Sequence, residues 1–238
     1  MAANQVIDRR DKERRLYIGV AALIPLIVLI GFARTYYLKA FFSTPALPSL
    51  LVHMHGIVMT LWVALFVAQV WLVAARRTRV HQRLGILGAI LAALVVTVGT
   101  VTAIAAAARD SSLSQQPLVF LVIPLFDMAI FAILIATALY YRRRLDIHKR
   151  LMLIAALSLL PAAMARIPLQ FIETGGPLIF FGLTDLSILA CVVYDTVRNR
   201  RLHPAFLWGA LLVVASHPLR LMLGDTDVWM RFATWLVS

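Results

Sequence analysis

The sequence holds a single cysteine, Cys191, in 238 residues. One cysteine excludes an internal disulfide framework and any zinc or iron–sulfur site built on cysteine clusters. Charge is scarce as well, at 14% of residues, against about 25% in an average soluble domain. Acid is the scarcer sign, with 11 Asp and Glu against 23 Lys and Arg. No Walker phosphate loop, dinucleotide glycine fingerprint or His-Glu-x-x-His helix occurs. The lysines are Lys12, Lys39 and Lys149, so the last apolar stretch lacks the lysine that a retinal Schiff base requires. No catalytic residue set is legible.

Apolar residues dominate instead. They make up 62% of the chain, and mean hydropathy is +0.88. A water-soluble core cannot hide that much apolar surface, and disorder has the opposite signature. A membrane-crossing helix needs roughly 20 mostly apolar residues. Seven stretches qualify: Leu16–Ala33, Leu50–Ala74, Leu84–Ala107, Leu118–Tyr140, Leu151–Pro168, Pro177–Val197 and Phe206–Leu223. The first is too long for a signal-peptide core, and Gly31-Phe32-Ala33-Arg34 is a poor cleavage site, so a retained anchor is expected. The sequence therefore predicts an all-α polytopic bundle. Residues 1–15 form a basic segment, 16–223 the seven-helix domain and 224–238 an amphipathic tail at the interface.

The net charge of +12 is distributed by topology. Arg9, Arg10, Lys12, Arg14 and Arg15 precede the first span. Arg76, Arg77, Arg79 and Arg83 follow the second; Arg142, Arg143, Arg144, Lys149 and Arg150 follow the fourth; Arg198, Arg200 and Arg201 follow the sixth. These are 17 of the 23 basic residues, all on one side of a seven-span arrangement. Cytoplasmic loops carry such an excess. The expectation is a bacterial inner-membrane protein with its N-terminus inside and its C-terminus outside. Its basic turns would lie against anionic headgroups, with no role in nucleic-acid binding; other membrane proteins remain open as partners.

Two of these turns repeat. Arg76-Arg77-Thr78-Arg79-Val80-His81-Gln82-Arg83-Leu84 aligns with Arg143-Arg144-Leu145-Asp146-Ile147-His148-Lys149-Arg150-Leu151. A fainter third copy runs from Arg198 to His203. One helix followed by three same-direction hairpins is the architecture this implies, a parallel internal repeat.

The stretch His53…Gly56…Gln69…Arg79-Val80-His81-Gln82-Arg83-Leu84-Gly85, with His148-Lys149-Arg150-Leu151-Met152 further on, resembles a family of uncharacterised bacterial multipass membrane proteins. Those carry a His–Gly–Gln helix, a basic turn and two His-Arg helix starts. The family is similar, more distantly, to two-haem transmembrane b-type cytochromes. The sequence departs from the pattern by placing Gln82 between His81 and Arg83. The resemblance implies the architecture and brings no established activity.

Ionisable residues inside the spans are the functional clue in a membrane protein. They gather in the outer half: His53 and His55, Asp127, Arg166, Asp185, His217 and Arg220. No comparable set is expected in the inner half. Arg166 is expected to neutralise Asp127 or Asp185, with Arg220 as a further buried cation. His55, His217, Asp127 and Asp185 also suit a divalent ion. Bis-imidazole haem needs two histidines at one depth on different helices. His53 or His55 with His217 would serve outside, and His81 with His148 inside. His55, Trp62 and Gln69 share one helix face, which favours His55 as the inward residue, whereas the family resemblance favours His53. Two classes follow. One is a small-cofactor or redox protein holding haem, metal or quinone. The other is a non-enzymatic transporter, channel or assembly partner. A seven-span zinc hydrolase fits less well, since the last span has His217 without a second histidine.

Overall fold

The computed structural model describes the backbone of residues 2–110 and 116–238, and side chains from residue 14 onward within those ranges. Most side chains of the basic segment 1–15 therefore lie outside the described residues. α1 (Ala2–Phe32) passes into a π-helical turn, Ala33–Tyr37, and a 3-10 turn, Lys39–Phe41. α2 (Leu50–Ala74) and α3 (Thr78–Asp110) follow. α4 (Gln116–Phe120) leads into α5 (Val122–Tyr140), and α6 (Leu145–Leu157) into the single turn α7 (Pro161–Met164). α8 (Gln170–Asn199), α9 (Pro204–Gly224) and α10 (Asp227–Val237) complete the order. Among the described residues seven spans are long and apolar enough to cross a bilayer, with α4–α5 and α6–α7 each making one. The chain is a multi-pass membrane protein.

The packing is that of a protein in lipid. α5 and α6 form the centre, where Phe131, Leu153 and Ile154 are fully buried. α5 packs on α3, α6 and α9, and α2 packs on α3 and α1. Outward-facing Leu26, Ile86, Ile90, Leu186 and Met222 are exposed, a distribution that hydrocarbon stabilises and water would not. Two glycines permit close approaches. At Gly31 a Cβ would collide with the Ala163 backbone, so this residue sets the crossing of α1 over α7. At Gly56 a Cβ would enter the Tyr36 ring.

Three boundaries differ from the sequence expectation. The fifth span is broken: Ser158–Leu160 turn between α6 and α7, and Ser158 Oγ donates to the Ala155 carbonyl at 3.0 Å. Pro161 restarts the helix at its first position, where a missing N–H costs nothing. The sixth span starts at Gln170, before the expected Pro177. Gly175-Gly176-Pro177, read as a turn, sits inside α8 as a kink, with Gly176 at φ 55°, a conformation open to glycine. The third span extends at both ends to 33 residues, roughly 50 Å of helix, so it projects beyond a hydrocarbon layer of about 30 Å. The tail is a helix, α10, whose Thr226 cap accepts from Trp229 N at 3.2 Å. Trp229 Nε1 anchors it by donating to the Leu118 carbonyl at 2.9 Å, while Val228 and Trp235 stay exposed.

Candidate functional site

The turns α2–α3, α5–α6 and α8–α9 lie at one face of the bundle, the basic face. Polar side chains cluster near it and, separately, toward the opposite face.

At the basic face α5 ends at Tyr140 and α6 begins at Leu145, so His148 on the first turn of α6 lies beside the last turn of α5. Its Nδ1 is 2.8 Å from the Ala138 carbonyl. An oxygen acceptor fixes the proton on that nitrogen and leaves Nε2 with a lone pair. His81, on the first turn of α3, comes to the same place. The two rings have centroids 6.5 Å apart and planes at 77°. Gln69 on α2 holds the His81 backbone, its Nε2 donating to the His81 carbonyl at 3.3 Å. His81 Nδ1 is buried without a hydrogen-bond partner. The two copies of the repeat thus converge on their histidines.

Two residues further along, the copies part. Arg83 is exposed, whereas Arg150 is buried. Arg150 Nε and Nη2 donate to both carboxylate oxygens of Asp195 on α8, at 2.8 to 3.0 Å. Its Nη1 donates to the Asp146 carbonyl at 2.8 Å, and the guanidinium lies over the Phe206 ring at 5.6 Å. His203 closes the cluster. Its Nδ1 accepts from Ala205 N at 3.2 Å, capping α9. The other nitrogen, Nε2, faces Asp146 Oδ2 at 3.1 Å. The expectation of no charged set in this half is therefore corrected. Asp195 is an acid in an apolar span, three residues before the basic turn; that placement was the available signal. Arg150 was hidden among loop arginines.

Toward the opposite face, Asp127 on α5 meets Arg220 on α9, with Nη1 to Oδ1 at 2.5 Å. Arg220 is fully buried. Its Nη2 donates to Ser216 Oγ at 3.0 Å, and Phe126 and Phe181 flank the guanidinium. Its Nε has no partner. One turn earlier on α9, His217 is buried and stacks on Phe181, with centroids 4.1 Å apart. Its Nδ1 lies 2.8 Å from Asp185 Oδ1 on α8. These contacts join α5, α8 and α9.

Arg166 does not join them. Its Nη1 donates to the Ala162 carbonyl at 2.7 Å, and its guanidinium lies over Phe32 at 4.9 Å. The cause is the early end of α7: the chain unwinds after Met164 and turns Arg166 toward α1, away from α5 and α8. Arg220 takes the role expected of it.

His53 is exposed and His55 half-buried, with Trp62 buried below it, so the inward face of α2 is that of His55. The Tyr36 hydroxyl lies 3.2 Å from His53 Nδ1. Among the described residues no ring contact joins His53 or His55 to His217, so the expected outer imidazole pair is not assembled. The expected ion site of His55, His217, Asp127 and Asp185 is likewise divided. Among the described residues no three His, Cys, Asp or Glu side chains come together to hold a metal ion.

Comparison with protein-family models, curated proteins and solved structures yields no match.

Proposed function

We propose that the protein is a b-type haem protein of the bacterial inner membrane, with haem held at the basic face by His81 and His148 and serving as a one-electron carrier. The observation that carries this reading is the approach of those two rings. His81 and His148 start different helices and bring their ring centroids to 6.5 Å, and such a pair of imidazoles is what would hold a haem, which would supply one-electron chemistry. The hydrogen bond from His148 Nδ1 to the Ala138 carbonyl is the kind that orients a metal-bound imidazole. The orphaned Nδ1 of His81 marks a buried group in want of a partner.

A bare ion argues less well. Zinc takes three or four protein ligands, and only two histidines meet here. A haem would need only these two histidines from the chain. The Ala138 carbonyl holds the His148 imidazole, Gln69 holds the His81 backbone, and the exposed Arg79 of the same turn would be available to a haem propionate.

The proposed orientation puts the basic face in the cytoplasm, against anionic headgroups. The C-terminal α10 then lies at the periplasmic interface.

The test is the absorption spectrum of protein purified from haem-replete cells. A Soret band that shifts on reduction is expected. His81→Ala and His148→Ala should each remove or strongly weaken it, and His53→Ala should leave it intact. A colourless protein, or a band indifferent to both inner histidines, overturns the reading. The alternative class, a transporter or assembly partner, rests on a different observation: the unpartnered Nε of Arg220 and Nε2 of His217 in the buried network.

A further inference from the structure

Arg166 is a cation without an anion. Arg150 and Arg220 each meet a buried carboxylate. Arg166 Nη1 has only the neutral Ala162 carbonyl, and among the described residues no acid lies near enough to act on the guanidinium. A charge inside a span is costly until something neutralises it.

The surroundings of Arg166 form a recess at the end of the bundle away from the basic turns. Phe32, the last residue of α1, lies under the guanidinium, with its centroid at 4.9 Å. Gly31 beside it lets α1 settle onto Ala163 of α7, which closes the floor. His55 of α2 stands close enough for the Arg166 charge to bear on its imidazole. Protein crowds Arg166, yet the residue stays exposed. A side chain on open helix surface would lack the crowding, and one in the core would lack the exposure.

The free groups in this recess are donors. Arg166 has committed one of its nitrogens, Nη1, and its Nε and Nη2 are available. His55 Nδ1 is enclosed and unpartnered, so Nε2 is the nitrogen that a ligand can reach, and as Nε2–H it donates. The complement is an anion rich in acceptors, with two oxygens for the planar guanidinium fork. Depth narrows the class. α2 has 25 residues, about 38 Å of helix, against a hydrocarbon layer of about 30 Å, so its end turns reach the headgroups. His55 lies about 8 Å along α2 from its start at Leu50, and Arg166 precedes the connection to α8. Leu29, one turn before Phe32 on the same side of α1, is exposed and offers acyl chains an apolar surface. The geometry points to a phosphate-binding site formed by Phe32, His55 and Arg166, at the depth where phospholipids present that group. A headgroup with its own cation would find no acceptor among these three side chains, so an anionic lipid such as phosphatidylglycerol suits the recess.

The experiment is a thermal-shift titration of the delipidated full chain in dodecyl maltoside with dioctanoyl phosphatidylglycerol. Dioctanoylglycerol, which has the same chains without phosphate, and inorganic phosphate are titrated in parallel. The phospholipid should give a saturable rise in melting temperature, and dioctanoylglycerol none. A matching rise with inorganic phosphate would support the site with the free anion as its source; no response to it would support the lipid. Arg166→Gln should raise the half-saturating concentration by about tenfold or more, the weight of one hydrogen bond to a charged group. Its ligand-free melting temperature should be unchanged or higher, because a stranded cation is removed; a purely structural arginine would lower it. His55→Leu should also weaken binding, a second route if Arg166→Gln folds poorly. Arg34→Gln removes an exposed cation at the same end of the bundle, over Phe42 at 5.7 Å, and should leave binding unchanged. No saturable rise, an equal rise with dioctanoylglycerol, or an equal loss in Arg34→Gln overturns the site. The readout uses no haem band, so a colourless protein and an empty recess are separate results.

Discussion

Arg150 and Asp195 form a two-pronged ion pair between α6 and α8, buried on both sides, with nitrogen–oxygen distances of 2.8 to 3.0 Å. Both ends of the guanidinium are used, since the remaining nitrogen donates to the Asp146 carbonyl. Removing one partner of a buried pair strands the other charge and costs about 3–5 kcal/mol, whereas replacing both by apolar groups is often close to neutral. Arg150→Met should therefore sharply lower the yield of folded protein and its melting temperature in detergent. Arg150→Met with Asp195→Leu should recover most of the loss. Thermal unfolding of the four proteins of this cycle measures the coupling, and a double variant no better than the single one would refute a paired role.

The same motif supplies an internal control. Arg83 occupies the position in the first copy that Arg150 occupies in the second, yet it is exposed. α3 lies toward the rim of the bundle, so its basic residue has no buried acid to meet. Exposed substitutions away from special features stay within about 0.5 kcal/mol. Arg83→Met should leave the melting temperature almost unchanged under the conditions that destabilise Arg150→Met.

Burial within the repeat was not legible in the sequence, since composition cannot tell a central helix from a peripheral one when lipid makes both apolar. Span number was legible, because apolar runs of membrane length rarely occur in a chain that stays in water. The convergence of the repeats was legible in part: the spacing of His81 and His148 placed both at helix starts on one face. The Arg166 expectation failed through local backbone geometry. A helix continued past Met164 would have kept Arg166 in register with the bundle, and the break at Ser158–Leu160 followed by unwinding beyond α7 rotated it onto Phe32. Asp127, Asp185, His217 and Arg220 were identifiable one by one as charges in apolar spans. Their partners depended on helix rotation, which a single sequence does not specify.

Helix crossing at Gly31 gives another measurable consequence. A Cβ there would strike the Ala163 carbonyl group and Cα, and backbone cannot yield as a side chain can. Overpacking of this kind costs about 1–3 kcal/mol. Gly31→Leu should push α1 away from α7 and lower the melting temperature, while Gly19→Leu on the same helix, where no atom lies within 4 Å, should not. Equal behaviour of the two variants would mean that α1 does not cross α7 at this point.

The orientation proposed above rests on the basic face. The turns at Arg76–Arg83, Arg142–Arg150 and Arg198–Arg201 share one end of the bundle, and Arg142–Arg144 are exposed there. Moving these turns across a membrane against the positive-inside bias is unfavourable. The opposite end carries Arg34, Lys39, Arg109 and Arg231, and two of these charges are tied up locally. Lys39 Nζ is folded back onto the Thr44 and Pro45 carbonyls, and Arg109 pairs with Asp110 at 2.7 Å. The bias between the two ends is thus larger in effect than in count. A reporter that fluoresces only in the cytoplasm should be active when fused after Arg144 and silent when fused after Ser238; a reporter active only in the periplasm should behave in reverse. With seven spans the two fusion points lie on opposite sides, so both reporters reading the same compartment would show that one apolar helix does not cross. Replacing Arg142, Arg143 and Arg144 together by Ser should weaken the bias at the central hairpin, seen as a mixed signal from the fusion at position 144. The unsubstituted turn should report a single compartment.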